Sequence, residues 1–247
     1  MEYLDNYKIN TIYWVPSALC IVANMKTFDY VKPKYLKKVL FAGEVMPMPQ
    51  LNIWRRHLPK LMYANLFGPT ETTDICTYYI VNRDFKDNET LPIGIPCENS
   101  DILLIKEDNT LALKDEVGEL YVRGSIVGYG YYNNEEKTNS AFVLNPVNKS
   151  YPEILYKTGD LGKYNEYGEL IYLGRKDFQI KHMGYRIELG EIETNVNSLD
   201  GIISSACIYD VKNQLIVLFY ESFTLNDEKV LEFCDKKLVK YMRPNKI

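Results

Sequence analysis

The sequence predicts an α/β fold: a parallel sheet with flanking helices, followed by a small antiparallel β-barrel and a C-terminal α+β lid. Three observations carry that expectation. Over residues 1–82 strand-like and helix-like runs alternate, the pattern of strand–helix–strand units with right-handed crossovers. Over 83–174 helical periodicity disappears, and short alternating stretches are divided by hairpin signals. Over 178–247 hairpins and amphipathic helices take turns in a compact unit, with a hinge expected near 175–177.

Thr11–Val15 (TIYWV) is a β-branched and aromatic run and predicts the first strand. Pro16-Ser17 then opens an apolar helix through about Met25, because proline suits the first helical turn. Lys38–Ala42 (KVLFA) predicts a second strand, Gln50–His57 a helix after the proline-punctuated MPMP, and Leu61–Leu66 (LMYANL) a third strand. KEDNT at 106–110, KDEVGE at 114–119 and NEYGE at 165–169 predict hairpin turns. Farther on, FQIKHMGYRI predicts a strand pair, 189–199 a helix, and SACIYD-VKNQ-LIVLFY a hairpin. A last helix begins at Asp227, with Val230, Leu231, Cys234 and Leu238 on one face.

With 247 residues, 46% of them hydrophobic, the chain can bury more than one core. Its 29 basic and 33 acidic residues leave a net charge of -4, which argues against a partner that is nucleic acid or anionic membrane. No apolar run is long enough to span a bilayer, and residues 1–30 lack a basic segment followed by an apolar one, so a cytoplasmic protein is expected. Five scattered cysteines without CxxC spacing read as reduced thiols rather than disulfides or zinc ligands. The two histidines, His57 and His182, read as surface residues, too few for a histidine metal site.

Ligands of open α/β sheets bind beyond the carboxyl ends of the strands. Here those ends are Trp14-Val15-Pro16, Ala42-Gly43-Glu44 and Asn65-Leu66-Phe67-Gly68, the last opening the segment NLFGPTETT. Phe67 offers an aromatic face, Asn65 an amide, and Thr70 and Glu71 a hydroxyl and a carboxylate. That set suits a purine with a metal-bound phosphate. Taken alone, the plainer reading is a polar loop capping a helix through Thr70 or Thr72. In YKTGDLGKY, Asp160 stands in what reads as a glycine-flanked turn, where a carboxylate can accept hydrogen bonds from two ribose hydroxyls.

Taken in order, LFAGEVMP (40–47), NLFGPTETT (65–73), LPIGIP (91–96), GELYVRGSIVGYGYY (118–132), YKTGDLG (156–162) and GRKDFQIKHMGYRIELGEIE (174–193) resemble the adenylate-forming superfamily. The similarity is greatest to the amino-acid adenylation domains of nonribosomal peptide synthetases and to D-alanine–carrier-protein ligases. It implies an enzyme that uses ATP and Mg²⁺ to adenylate an amino acid and passes it to the phosphopantetheine thiol of a carrier protein. By the same resemblance Asn65 and Phe67 hold adenine, with the Ala42-Gly43-Glu44 backbone covering its other face; Gly68 belongs to the nucleotide site, Thr70 touches the phosphates, and Glu71 binds Mg²⁺. Asp160 holds the ribose, Arg175 reaches the ribose or α-phosphate, Asp177 is the hinge, and Lys181 and Gly184 approach the site after the lid swings. Trp14, Leu40, Ala42, Leu66, Asp74 and Ile75 line the side-chain pocket. An acyl-CoA or aryl-CoA synthetase of the same superfamily, and a non-catalytic nucleotide- or carrier-binding module, are the alternatives.

The pattern has departures: Phe67 stands where the family usually has tyrosine, Tyr129 where it has arginine, and Ile126 where it has glycine. The family's Ser/Thr/Gly-rich phosphate loop and its C-terminal NGKIDR-like stretch, each with a lysine, have no counterpart in residues 1–247. The expectation is a fragment that binds nucleotide weakly and by itself forms no adenylate.

Overall fold

Helices α1 (Glu2–Asn6), α2 (Pro16–Asn24) and α3 (Met48–His57) alternate with strands β1 (Thr11–Trp14), β2 (Lys38–Phe41) and β3 (Met62–Phe67). The computed structural model describes residues 1–247. Because a helix separates successive strands, β1–β2 and β2–β3 pair in parallel. The sheet then turns antiparallel through β4 (Thr77–Ile80) and β5 (Ile95–Pro96), giving the order β1-β2-β3-β4-β5. The helix-covered face buries Val39, Phe41, Leu51, Trp54 and Tyr63, with the Trp54 indole N–H donating to the Leu19 carbonyl at 2.9 Å.

Strands β6 (Ser100–Ile105), β7 (Gly118–Gly124), β8 (Phe142–Leu144), β9 (Ile154–Tyr164) and β10 (Leu170–Arg175), with the short helix α4 (Glu135–Ala141), follow. They form an antiparallel sheet of order β10-β9-β7-β6, with β8 on β9, that curls into a half-barrel. Two devices tie it to the first sheet. Ile93 N–H donates to the Leu170 carbonyl, and Leu170 N–H donates back to Gly94. The Arg83 guanidinium forms a two-pronged pair with Glu169 at 2.6 and 2.9 Å and lies against the Phe85 and Tyr167 rings. Both sheets belong to one unit, Met1–Lys176.

The second unit, Asp177–Ile247, contains β11 (Gln179–His182), β12 (Tyr185–Glu188), α5 (Leu189–Asn197), β13 (Ser204–Asp210), β14 (Leu215–Glu221) and α6 (Asp227–Lys237). Its core gathers Ile187, Ile192, Val196, Ile216, Leu218, Val230 and Cys234. Val230, Cys234 and Leu238 are buried as their spacing predicts, but Leu231 is exposed, at the margin of the apolar stripe. Met183 and Gly184 both have positive φ, 51° and 82°, so a two-residue turn matched to strand twist joins β11 to β12. All five cysteines are free thiols. No helix is long and apolar enough to cross a membrane.

Candidate functional site

Side-chain alternation sorts the residues at the carboxyl ends of β1–β3 onto two faces. Tyr13, Leu40 and Ala64 are in register, and Leu66 lies two residues beyond Ala64 on the same face. Trp14, Phe41 and Asn65 are in register on the other. The structure therefore separates Trp14 from Leu40 and Leu66: Trp14 packs against the helix-covered core, and Tyr13 is the β1 residue on their face. The Tyr13 hydroxyl donates to Asp74 Oδ2 at 3.1 Å, and burial followed by the Asp74 carboxylate pushes the phenol up to about 12. Asp74 is exposed, Ile75 half-buried and Ala42 buried.

On the opposite face the Asn65 amide is buried and donates from Nδ2 to the Pro92 carbonyl at 2.8 Å. Phe67 is 7% exposed, with its ring centroid 6.0 Å from that of Tyr172. From the β2 end, the Glu44 carboxylate accepts from Ser17 N–H at 2.8 Å in the first turn of α2, a favourable place for negative charge. Gly43 has φ of +92°, a backbone that side-chain-bearing residues seldom adopt.

After β3 the chain folds back within a few residues, and no α-helix follows for Thr70 or Thr72 to cap. Thr70–Thr72 form one 3-10 turn, Thr73 and Asp74 have φ of 55° and 75°, and Cys76 N–H donates to Phe67. A Cβ on Gly68 would stand 2.1 Å from the Asp74 carbonyl oxygen, which is why glycine occupies this turn. Three hydrogen bonds fasten the turn to the 126–131 loop. Gly128 N–H donates to the Glu71 carbonyl at 2.9 Å, the Thr73 hydroxyl to the Ile126 carbonyl at 2.9 Å, and the Tyr131 hydroxyl to Glu71 Oε1 at 2.5 Å. Glu71 is half-buried and Thr70 exposed.

Asp160 departs from the sequence expectation. It lies not in an exposed turn but inside β9, 1% exposed, with Arg175 Nη1 of β10 at 3.0 Å from Oδ1. The glycine signal marks a bulge: Gly159 has φ of +77°, and the β7–β9 register shifts between Glu119 and Tyr121. Gly159 N–H donates to the buried Glu119 carboxylate at 3.2 Å.

Within the second unit Asp177, its first residue, accepts from Gln179 N–H at 3.1 Å, and half-buried Lys181 stands opposite Arg186 in the β11–β12 pair. His182 corrects the surface reading. It is 6% exposed, and its Nδ1 lies 3.2 Å from the Tyr209 hydroxyl, because strand alternation turns it inward. No group of three or more His, Cys, Asp or Glu side chains forms a preorganised metal cage. Mg²⁺ usually keeps several waters and takes one or two protein carboxylates alongside substrate phosphates, a role for which Glu71 has the right donor chemistry.

Residues 1–132 match the family described as AMP-binding enzyme. The chain belongs to that family. Among curated proteins this AMP-binding chain is 36% identical over 212 residues to an L-proline--[L-prolyl-carrier protein] ligase of Streptomyces coelicolor, covering 85% of the chain and 38% of that ligase. It is 33% identical over 250 residues to gramicidin S synthase 2 of Brevibacillus brevis, covering 99% of the chain and 6% of the synthase. The chain thus spans well under half the length of these relatives. It also superposes over its full length on 43% of the solved chain of PA1221, an NRPS protein containing adenylation and PCP domains, with a TM-score of 0.87 at 23% identity. Sequence reasoning within the AMP-binding pattern missed Tyr13 and Tyr131. Strand alternation in TIYWV could have pointed to Tyr13, but nothing local links Tyr131 to Glu71, 60 positions away.

Proposed function

We propose that this AMP-binding chain is part of an ATP-dependent ligase that adenylates an amino acid and transfers it to the phosphopantetheine thiol of a carrier protein. The observation that carries the reading is the fastening of the 68–74 turn to the 126–131 loop. It holds the Glu71 carboxylate at the carboxyl end of β3, beyond buried Asn65. The relative named as a prolyl-carrier protein ligase favours an amino acid as the acid and a carrier as the acceptor.

In this reading the acid's carboxylate oxygen attacks the α-phosphorus of ATP, and the bond to the bridging oxygen breaks as pyrophosphate leaves with its electron pair. The thiolate sulfur then attacks the acyl carbon and AMP departs. Such chemistry depends mainly on positioning and on charge stabilisation. Mg²⁺ would supply charge neutralisation on the phosphates. Glu71 would hold it, with Thr70 and Gly68 beside the phosphates. Asn65 and Phe67 would meet adenine, with Gly43 and Glu44 on its other side, and Asp160 with Arg175 the ribose. Tyr13, Leu40, Ala42, Leu66, Asp74 and Ile75 would face the acid's side chain. Residues 1–82 and 83–174 would form core and barrel, and 178–247 a lid turning about Asp177 and bringing Lys181 toward the reaction.

ATP–pyrophosphate exchange by the full-length gene product, across amino, fatty and aryl acids, tests this. Exchange is expected with amino acids, followed by an aminoacyl mass gain on a phosphopantetheinylated carrier protein. Exchange with fatty or aryl acids and release as coenzyme A thioesters would make the protein an acyl-CoA or aryl-CoA synthetase. Nucleotide binding without exchange would make it a binding module.

A further inference from the structure

We infer that Tyr131 is a positioning residue: its hydroxyl holds the Glu71 carboxylate in the orientation that receives a divalent cation. The inference rests on the metal role proposed above for Glu71. Tyr131 is itself held on several sides. Its N–H donates to Thr138 Oγ1 at 2.9 Å, its ring meets Phe142 edge-on with centroids 5.6 Å apart, and Lys137 Nζ lies 5.2 Å from the ring centroid. Gly130, at φ of +133°, passes so close to Thr138 that a Cβ would stand 2.4 Å from Cγ2, so the loop is seated on α4.

The same loop grips residue 71 twice, the carbonyl through Gly128 and the carboxylate through Tyr131. A glutamate side chain otherwise samples several torsions, and fixing them on metal binding costs conformational entropy. Here the hydrogen bond orders the carboxylate beforehand, as outer partners of metal ligands commonly do.

The test is Mn²⁺ titration by electron paramagnetic resonance of the full-length protein with a non-hydrolysable ATP analogue, metal-free analogue affinity being measured separately. Tyr131→Phe keeps the ring and its packing. It should weaken Mn²⁺ binding roughly tenfold, the scale for losing an outer partner of a metal ligand, while metal-free nucleotide affinity stays unchanged. Tyr132→Phe, at a fully exposed neighbour, should match the wild type. Wild-type Mn²⁺ affinity in Glu71→Gln would overturn the metal role of Glu71 itself. If Glu71→Gln loses Mn²⁺ and Tyr131→Phe does not, Glu71 keeps its role and the positioning inference fails. A lower unfolding midpoint in Tyr131→Phe with unchanged Mn²⁺ affinity would make the tyrosine a loop anchor only, and equally overturn it.

Discussion

The segments around Glu71 and Asp160 carry similar punctuation, an acid close to glycine and threonine, yet they fold in opposite ways. NLFGPTETT leaves a parallel strand and collapses into a tight turn, where Glu71 is half-buried and meets a neutral hydroxyl. YKTGDLG continues as an 11-residue antiparallel strand, where Asp160 is buried and meets a guanidinium. Glycine beside an acid thus reports backbone freedom, not exposure. What lies alongside decides the rest: the turn after β3 lies against the 126–131 loop, whereas the middle of β9 has β7 and β10 on its two sides.

The largest effect that would sharpen the contrast is at Asp160. Asp160→Ala leaves the Arg175 guanidinium buried without that carboxylate and should cost about 3–5 kcal/mol, the usual penalty for breaking a buried pair. Urea unfolding measures it, and a loss below about 1 kcal/mol would place the pair with solvated surface bridges. Gly68→Ala comes next. Its Cβ would press on the Asp74 carbonyl, and a loss of about 1–3 kcal/mol, the range for overpacking, is expected in the same assay. A variant as stable as the parent would show that the turn yields easily.

Asp74 tests the face of the first sheet that carries Tyr13 and Leu40. In the full-length enzyme Asp74→Leu should shift exchange activity toward acids with plain aliphatic side chains, and it should cost about 1 kcal/mol of stability because leucine suits the left-handed φ of 75° at this position less well than aspartate. An unchanged substrate ranking would show that Asp74 does not read the side chain. The smallest effect concerns Glu169. Burial alone would raise its carboxyl, but hydrogen bonds from Arg83 and Asn165 outweigh that and hold it below the ordinary range. A lowered folded value adds stability above the unfolded pKa of about 4.3 and loses it as pH falls through the folded value. Thermal unfolding of Glu169→Gln should therefore lose less stability on acidification than the parent. Equal acid sensitivity of the two proteins would assign the acid response to other carboxylates.

The sequence by itself determined the elements and the family. TIYWV, KVLFA and LMYANL became β1, β2 and β3 within a residue or so at each end. Pro16 opened α2, and NEYGE turned β9 into β10. These signals are local, since periodicity, proline and turn chemistry act within a few residues. Only the tertiary structure decided which face Trp14 and Tyr13 take, that β4 and β5 turn the first sheet antiparallel, that Asp160 and His182 are buried, and that Tyr131 reaches Glu71. Each depends on which strand or loop lies alongside, and in a pleated strand one residue's difference moves a side chain to the other face. Pairing between distant segments is a property of the whole packed chain, so no local reading of these residues contains it.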